Sequence, residues 1–211
     1  MAYVDYATFT EVDPNNRIGV ATNTLTATSL TRNESAYVYD DKTAAHFDGD
    51  FEHLMDCQST ASGSLALASV WALTNVIDDL GGIYDASGDF LSLQFLDNST
   101  VLQLKLVEVD GGNFYNDFYT PSSSTRYYCK IKRVEGTGTY GTIYCYIYDD
   151  SGRTNLVDTL SVALHTSKKD FRYLFGMSSW DSSSAATMSC DSRNLDLQEA
   201  DGSPWYYYAQ Q

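Results

Sequence analysis

The chain has 211 residues, of which 13 are Lys or Arg and 28 are Asp or Glu, giving a formal net charge of −15. A field of that sign repels phosphate backbones and argues against a nucleic-acid partner. With 43% hydrophobic, 14% aromatic and only 19% charged residues, the composition is that of a packed chain rather than a disordered one.

Taken in chain order, residues 1–10 (MAYVDYATFT) have no basic n-region and no apolar h-region, so no secretory signal is expected. Residues 22–30 (TNTLTATSL) begin a series of short β-rich runs with period-two alternation. Residues 65–77 form the longest apolar-leaning stretch, but Ser69, Thr74 and Asn75 interrupt it. It is too short and polar to span a bilayer. Strands are predicted over residues 90–96 (FLSLQFL), 101–109 (VLQLKLVEV), 126–134 (RYYCKIKRV), 142–148 (TIYCYIY) and 156–164 (LVDTLSVAL). In the second of these, Leu102, Leu104 and Leu106 share one face with Glu108 and form an inward stripe. The run TIYCYIY is apolar or aromatic throughout, which suggests a strand covered on both faces or lying in a ligand surface.

Turn chemistry supports hairpins at Asp97-Asn98-Ser99-Thr100, Asp110-Gly111-Gly112 and Asp149-Asp150-Ser151-Gly152. The three prolines, Pro14, Pro121 and Pro204, all fall between runs, leaving strand interiors free to pair. No linker, repeat or long helical period is present. The expectation is one all-β domain, an antiparallel two-sheet sandwich over residues 1–198. An aromatic tail over residues 199–211 follows, in which Trp205, Tyr206, Tyr207 and Tyr208 either cover the domain's own edge or dock on a neighbouring subunit.

The chemical constellations are sparse. Cys57, Cys129, Cys145 and Cys190 are widely spaced, without a zinc pattern, and are expected as free buried thiols. Glu108 and Asp110 alternate onto one face, yet no second glutamate follows at glycosidase spacing, so the pair is read as a strand ending in a polar turn. His165 is expected to end a strand as a surface or turn residue, while His46 and His53 are expected to pack and hydrogen-bond. The basic run Arg126, Lys130, Lys132 and Arg133 sets the first three on a solvated face with Tyr128. Weak calcium candidates are Asp78, Asp79, Asp85 and Asp89, all within one connection. There are 17 tyrosines. Tyr84, Tyr115, Tyr119 and Trp180, with Asp85, Asp117 and Asp181 nearby, are candidate glycan contacts, since aromatic faces stack on sugar rings. Packing or interface roles explain the same residues.

Residues 30–40 (LTRNESAYVYD) and 45–53 (AHFDGDFEH), continued by 71–80 (WALTNVIDDL), 88–93 (GDFLSL), 125–133 (TRYYCKIKR) and 194–197 (NLDL), resemble a concanavalin A-like, laminin-G-type jelly roll. The resemblance covers roughly residues 5–198 and is to the version associated with tailed-phage and metagenomic virion proteins. It implies two packed antiparallel sheets with N- and C-terminal strands adjacent. It also implies glycan or protein binding, sometimes through calcium, or an adhesion or decoration role. The calcium ligands of better-known members cannot be placed on this sequence.

The leading expectation is therefore a non-enzymatic structural module of a virion or similar assembly. It would be homo-oligomeric, contact itself or other virion proteins through residues 205–208, and sit at a particle surface after cytosolic synthesis. The alternative is a lectin-like module that recognises a cell-surface glycan. Neither requires a cofactor, nucleic acid or membrane.

Overall fold

The computed structural model describes residues 3–182 and 184–198. After a 3-10 turn at Tyr6–Thr8 come β1 (Thr10–Val12), β2 (Ile18–Ala21), β3 (Thr24–Thr31), β4 (Tyr37–Asp41), β5 (Phe51–Ser62) and β6 (Leu67–Thr74). A short helix, α1 (Leu80–Asp85), precedes β7 (Phe90–Asp97), β8 (Leu102–Asp110), β9 (Asn113–Tyr119) and β10 (Tyr127–Val134). The described chain then adds β11 (Thr142–Tyr148), β12 (Leu156–Ala163), β13 (Tyr173–Ser178) and β14 (Thr187–Asp196). They form two seven-stranded antiparallel sheets. Sheet A runs β1-β4-β13-β6-β7-β8-β9, and sheet B runs β12-β11-β10-β5-β14-β3-β2. The long apolar-leaning stretch supplies β6, a central strand. Among the described residues no helix is long and apolar enough to cross a membrane.

Period-two patterning puts one face of each strand between the sheets. Leu104 and Leu106 of β8 meet Leu91, Leu93 and Phe95 of β7 there, with Met55, Ile131, Ile143 and Leu160 contributed by sheet B. At about 1.5–3 kcal/mol for each large apolar side chain removed from water, this layer supplies the main drive to fold. Trp71 and His53 cross-link the sheets inside it, the indole Nε1–H donating to His53 Nδ1 at 3.1 Å. Both side chains are buried. The segment before the 3-10 turn lies against β14 of sheet B, where Val4 N–H donates to the Leu195 carbonyl at 2.7 Å, whereas the first strand, β1, lies at the edge of sheet A.

The two-residue turn between β8 and β9 uses Gly111 and Gly112 at φ +54° and +78°, a left-handed pair that glycine adopts without a Cβ clash. The four cysteines are free and buried. One expectation needs correction. β11 is covered on one face only, because Ile143, Cys145 and Ile147 enter the core whereas Tyr144, Tyr146 and Tyr148 are only half-buried. Arg133, on the opposite face of β10 from Lys130 and Lys132, points inward, fully buried, and its guanidinium donates to the carbonyls of Phe47, Gly49 and Lys169.

Candidate functional site

The outer face of sheet A carries a second apolar layer that alternation alone would have left in water. Val107 and Val109 point away from the inter-sheet core, as do Phe90, Ala72 and Phe175, yet all five are buried. Leu80, Ile83 and Trp180 pack over them. The cover is held in place by Asp79, the N-cap of α1, whose Oδ1 accepts from the backbone N–H of Gly81 (2.9 Å), Gly82 (3.1 Å) and Asp181 (2.8 Å). One carboxylate thereby satisfies the helix start and ties it to the segment that carries Trp180. Close approach matters here: a Cβ on Gly81 would lie 2.6 Å from the Asp181 carbonyl oxygen.

On this cover stands an aromatic cluster. The Tyr84 and Trp180 rings are 5.5 Å apart, Phe114 lies 6.1 Å from Trp180 and 6.4 Å from Tyr84, and Phe90 lies beneath Trp180 at 6.2 Å. Trp180 is buried at 8% exposure, but Phe114 is 36% exposed and Tyr84 half-buried, so the latter two present the accessible part. Asn116 and Phe118 continue the exposed edge along the same face of β9. The Lys105 ammonium lies 5.2 Å from the centroid of the Phe114 ring. Apolar ring faces beside a cation and amide groups make a surface suited to stacking and hydrogen-bonding a polyhydroxylated ring.

The glycan contacts expected from the sequence divide between two places. Tyr84 and Trp180 come together as described. Asp85 is at the C-terminal end of α1 and Asp181 is exposed beside Trp180. Tyr115 and Asp117, and with them Tyr119, point to the other side of β9, because side chains one residue apart leave opposite faces of a strand. Asp117 accepts from Ser161 N–H at 3.0 Å and so ties β9 to β12. Tyr115 stacks on His165, with centroids 3.5 Å apart and planes 9° from parallel. Phe114 and Lys105 were missed. The signal was available in the register, since Phe114 pairs with Val109 across the Gly-Gly turn and Lys105 alternates onto the same face.

The Tyr115 side of β9 holds a polar arrangement of its own. Glu108 is fully buried and accepts from His165 twice, from the backbone N–H at 3.0 Å and from the ring Nδ1 at 2.7 Å. Burial raises the Glu108 pKa above the ordinary carboxylate range, and the His165 hydrogen bonds only partly offset it. Asp110 accepts from Thr166 Oγ1 at 2.7 Å and pairs with Lys169, whose ammonium also reaches Asp89 at 3.0 Å. Burial pushes the Asp110 pKa up, but the bonds from Lys169 and Thr166 outweigh it and leave it lowered. β8 thus ends, as expected, in the polar Asp110-Gly111-Gly112 turn, and both Glu108 and Asp110 are buried and bonded to the 165–169 segment. His165 follows β12 as expected of a turn residue, but is anchored through Glu108.

The calcium candidates are not gathered into a cage. Asp79 is spent on three N–H donors, Asp89 accepts from Gly111 N–H at 2.8 Å and holds Lys169, and Asp85 lies at the far end of α1. Among the described residues no group of three or more His, Cys, Asp or Glu side chains could hold a metal ion. The expected assembly contact, Trp205, Tyr206, Tyr207 and Tyr208, lies outside the described residues, as does the whole 199–211 tail.

Neither protein-family models nor curated proteins match this chain. Solved structures do. A functionally unknown protein from Saccharomyces cerevisiae superposes with a TM-score of 0.60 at 11% identity, over 94% of this chain and 100% of that one. A legume lectin-like domain from Entamoeba histolytica gives 0.58 at 12% identity, over 92% and 90%. The fold is a concanavalin A-like jelly roll. An endo-β-1,4-glucuronan lyase from the fungus Trichoderma reesei shares it, with a TM-score of 0.50 at 10% identity over 92% and 88%. Lectins and lyases thus both stand among its structural neighbours.

Proposed function

We propose that this domain binds carbohydrate on the outer face of sheet A. The observation that carries the reading is the cluster of Tyr84 of α1, Phe114 of β9 and Trp180 after β13, three rings within 6.4 Å of one another over the outer face of sheet A. Phe114 is left 36% exposed. Rings that served only the core would be covered; here an apolar ring is held rigidly at the surface beside amide and ammonium groups. Preorganisation of this kind lowers the ordering cost of binding a flexible, hydroxyl-rich ligand. The lectin-like neighbour supports the same class of ligand.

The test is a broad glycan array, followed by calorimetry on the hits, with wild type, Phe114→Ala and Tyr84→Ala. Saturable binding that both substitutions weaken at least tenfold, with circular dichroism unchanged, is the expected result. Binding indifferent to both substitutions, or none across the array, rejects the reading. Product release from the bound polysaccharide, scored in the same samples, would move the protein from the binding class to the lyase or hydrolase class.

A further inference from the structure

Lys105 is one of five cations, with Arg17, Arg32, Lys132 and Arg153, that form no ion pair with a carboxylate among the described residues. Acidic residues outnumber basic ones 28 to 13, and Lys169, Arg126 and Arg172 all have carboxylate partners. Lys105 has none among the described residues. Its surroundings explain why. The residues opposite it on the two neighbouring strands are Gln94 and Phe118. Along the same face the nearest positions are Gln103 and Val107 on its own strand, with Ser92, Leu96 and Asn116 diagonally across. Every one is neutral.

The ammonium is directed toward the aromatic cluster. Phe118 is the residue opposite Lys105, yet the ring under its Nζ is Phe114, four residues farther along β9. Burial depresses the Lys105 pKa, with no neighbouring charge contributing. Among the described residues Lys105 has a ring face and no counter-ion, so this half-buried cation has given up hydration without gaining an opposite charge. Across the β7–β8 ladder, the buried Gln94 Oε1 also lacks a hydrogen-bond partner. Gln94 is fully buried, so of the pair only the half-buried Lys105 can meet a ligand on the face that carries the rings.

We propose that the carbohydrate bound here is an acidic glycan, and that Lys105 recognises its anionic group while a sugar ring stacks at Phe114. This deepens the carbohydrate-binding reading and rests on it. Carboxylate and sulfate share the required chemistry: a compact anion that replaces the lost hydration of the ammonium. The net charge of −15 opposes long-range attraction of any polyanion. Recognition must therefore be local, and confined to the few sugar units that reach Lys105.

The experiment measures affinity for a uronic-acid oligosaccharide and for the same oligosaccharide with its carboxylates reduced to alcohols. A sulfated oligosaccharide and its desulfated form make a second pair. Wild type is expected to prefer the acidic member of one pair at least tenfold, and which pair responds distinguishes carboxylate from sulfate. Lys105→Met keeps an apolar stem over Phe114 and should bring the acidic-to-neutral affinity ratio down to about one, and that ratio rather than the affinity for the neutral form is the readout. Lys105→Arg should retain the preference. Equal wild-type affinity within both pairs, or a preference that survives Lys105→Met, overturns the proposal and leaves carbohydrate binding standing. Failure to bind any of the four overturns it as well, and the glycan array then decides whether the broader reading falls with it.

Discussion

His53 should make the fold acid-sensitive, and the size of the effect follows from its burial. The ring is 1% exposed, accepts the Trp71 indole N–H and stacks on Phe51 at 4.5 Å. Burial, reinforced by the positive charges of His46, Arg133 and Lys42, pushes its pKa from 6.5 down to about 3. Because the folded pKa is depressed, the folded state holds fewer protons than the unfolded one below pH 6.5. The contribution is complete above that pH and drains as pH falls toward about 3. Between neutrality and about pH 4 the loss is about 3 kcal/mol, a sizeable part of the roughly 5–15 kcal/mol that holds a domain together. His53→Gln supplies a non-titrating acceptor for the indole N–H. Urea titrations of both proteins at several pH values should show a less stable variant at neutrality. Over the same interval it should lose about 3 kcal/mol less than wild type. Parallel pH profiles would refute the assignment, because the acid sensitivity would then come from other groups.

Lys169→Met should cost about 3 kcal/mol in chemical denaturation, since it leaves the buried Asp110 carboxylate without its cation. Adding Asp110→Asn should recover part of that loss, and additive costs would show that the two groups do not interact. Asp79→Ala removes an acceptor shared by three backbone N–H groups and should cost about 1–2 kcal/mol. It should also loosen Trp180, visible as a change in near-ultraviolet circular dichroism, whereas an unchanged spectrum would deny that Asp79 positions the cover. The four buried thiols should resist a soluble aromatic disulfide reagent in the native protein and all react after unfolding. Rapid native labelling would contradict their burial.

Strand interiors were legible because each carries its own signal. The alternation of β8 places Leu104 and Leu106 in the core, and the Asp-Gly-Gly turn after it needs the positive φ values that only glycine supplies cheaply. What local periodicity does not encode is the cover on the outer face of sheet A. Val107 and Val109 are buried by Leu80, Ile83 and Trp180, residues distant in sequence, so β8 reads as half-exposed when taken alone. The candidate site inherits that difficulty. Tyr84 and Trp180 were recognisable as aromatics in loops, but grouping Tyr115 and Asp117 with them ignored strand parity. Phe114, one residue earlier, is the side chain that faces the cluster. Glu108 and His165, 57 positions apart, meet only because the chain following β12 crosses against β8.

The most direct test of the central claim is a titration of isotope-labelled protein with the tightest glycan from the array, followed by residue-resolved nuclear magnetic resonance. Binding on the outer face of sheet A predicts saturable shifts in the Trp180 indole N–H and in the amides of residues 113–118. The Trp71 indole, sealed between the sheets, should remain still. Shifts confined to sheet B, or to the Tyr115–His165 side of β9, would contradict the account and move the binding site elsewhere on the sandwich.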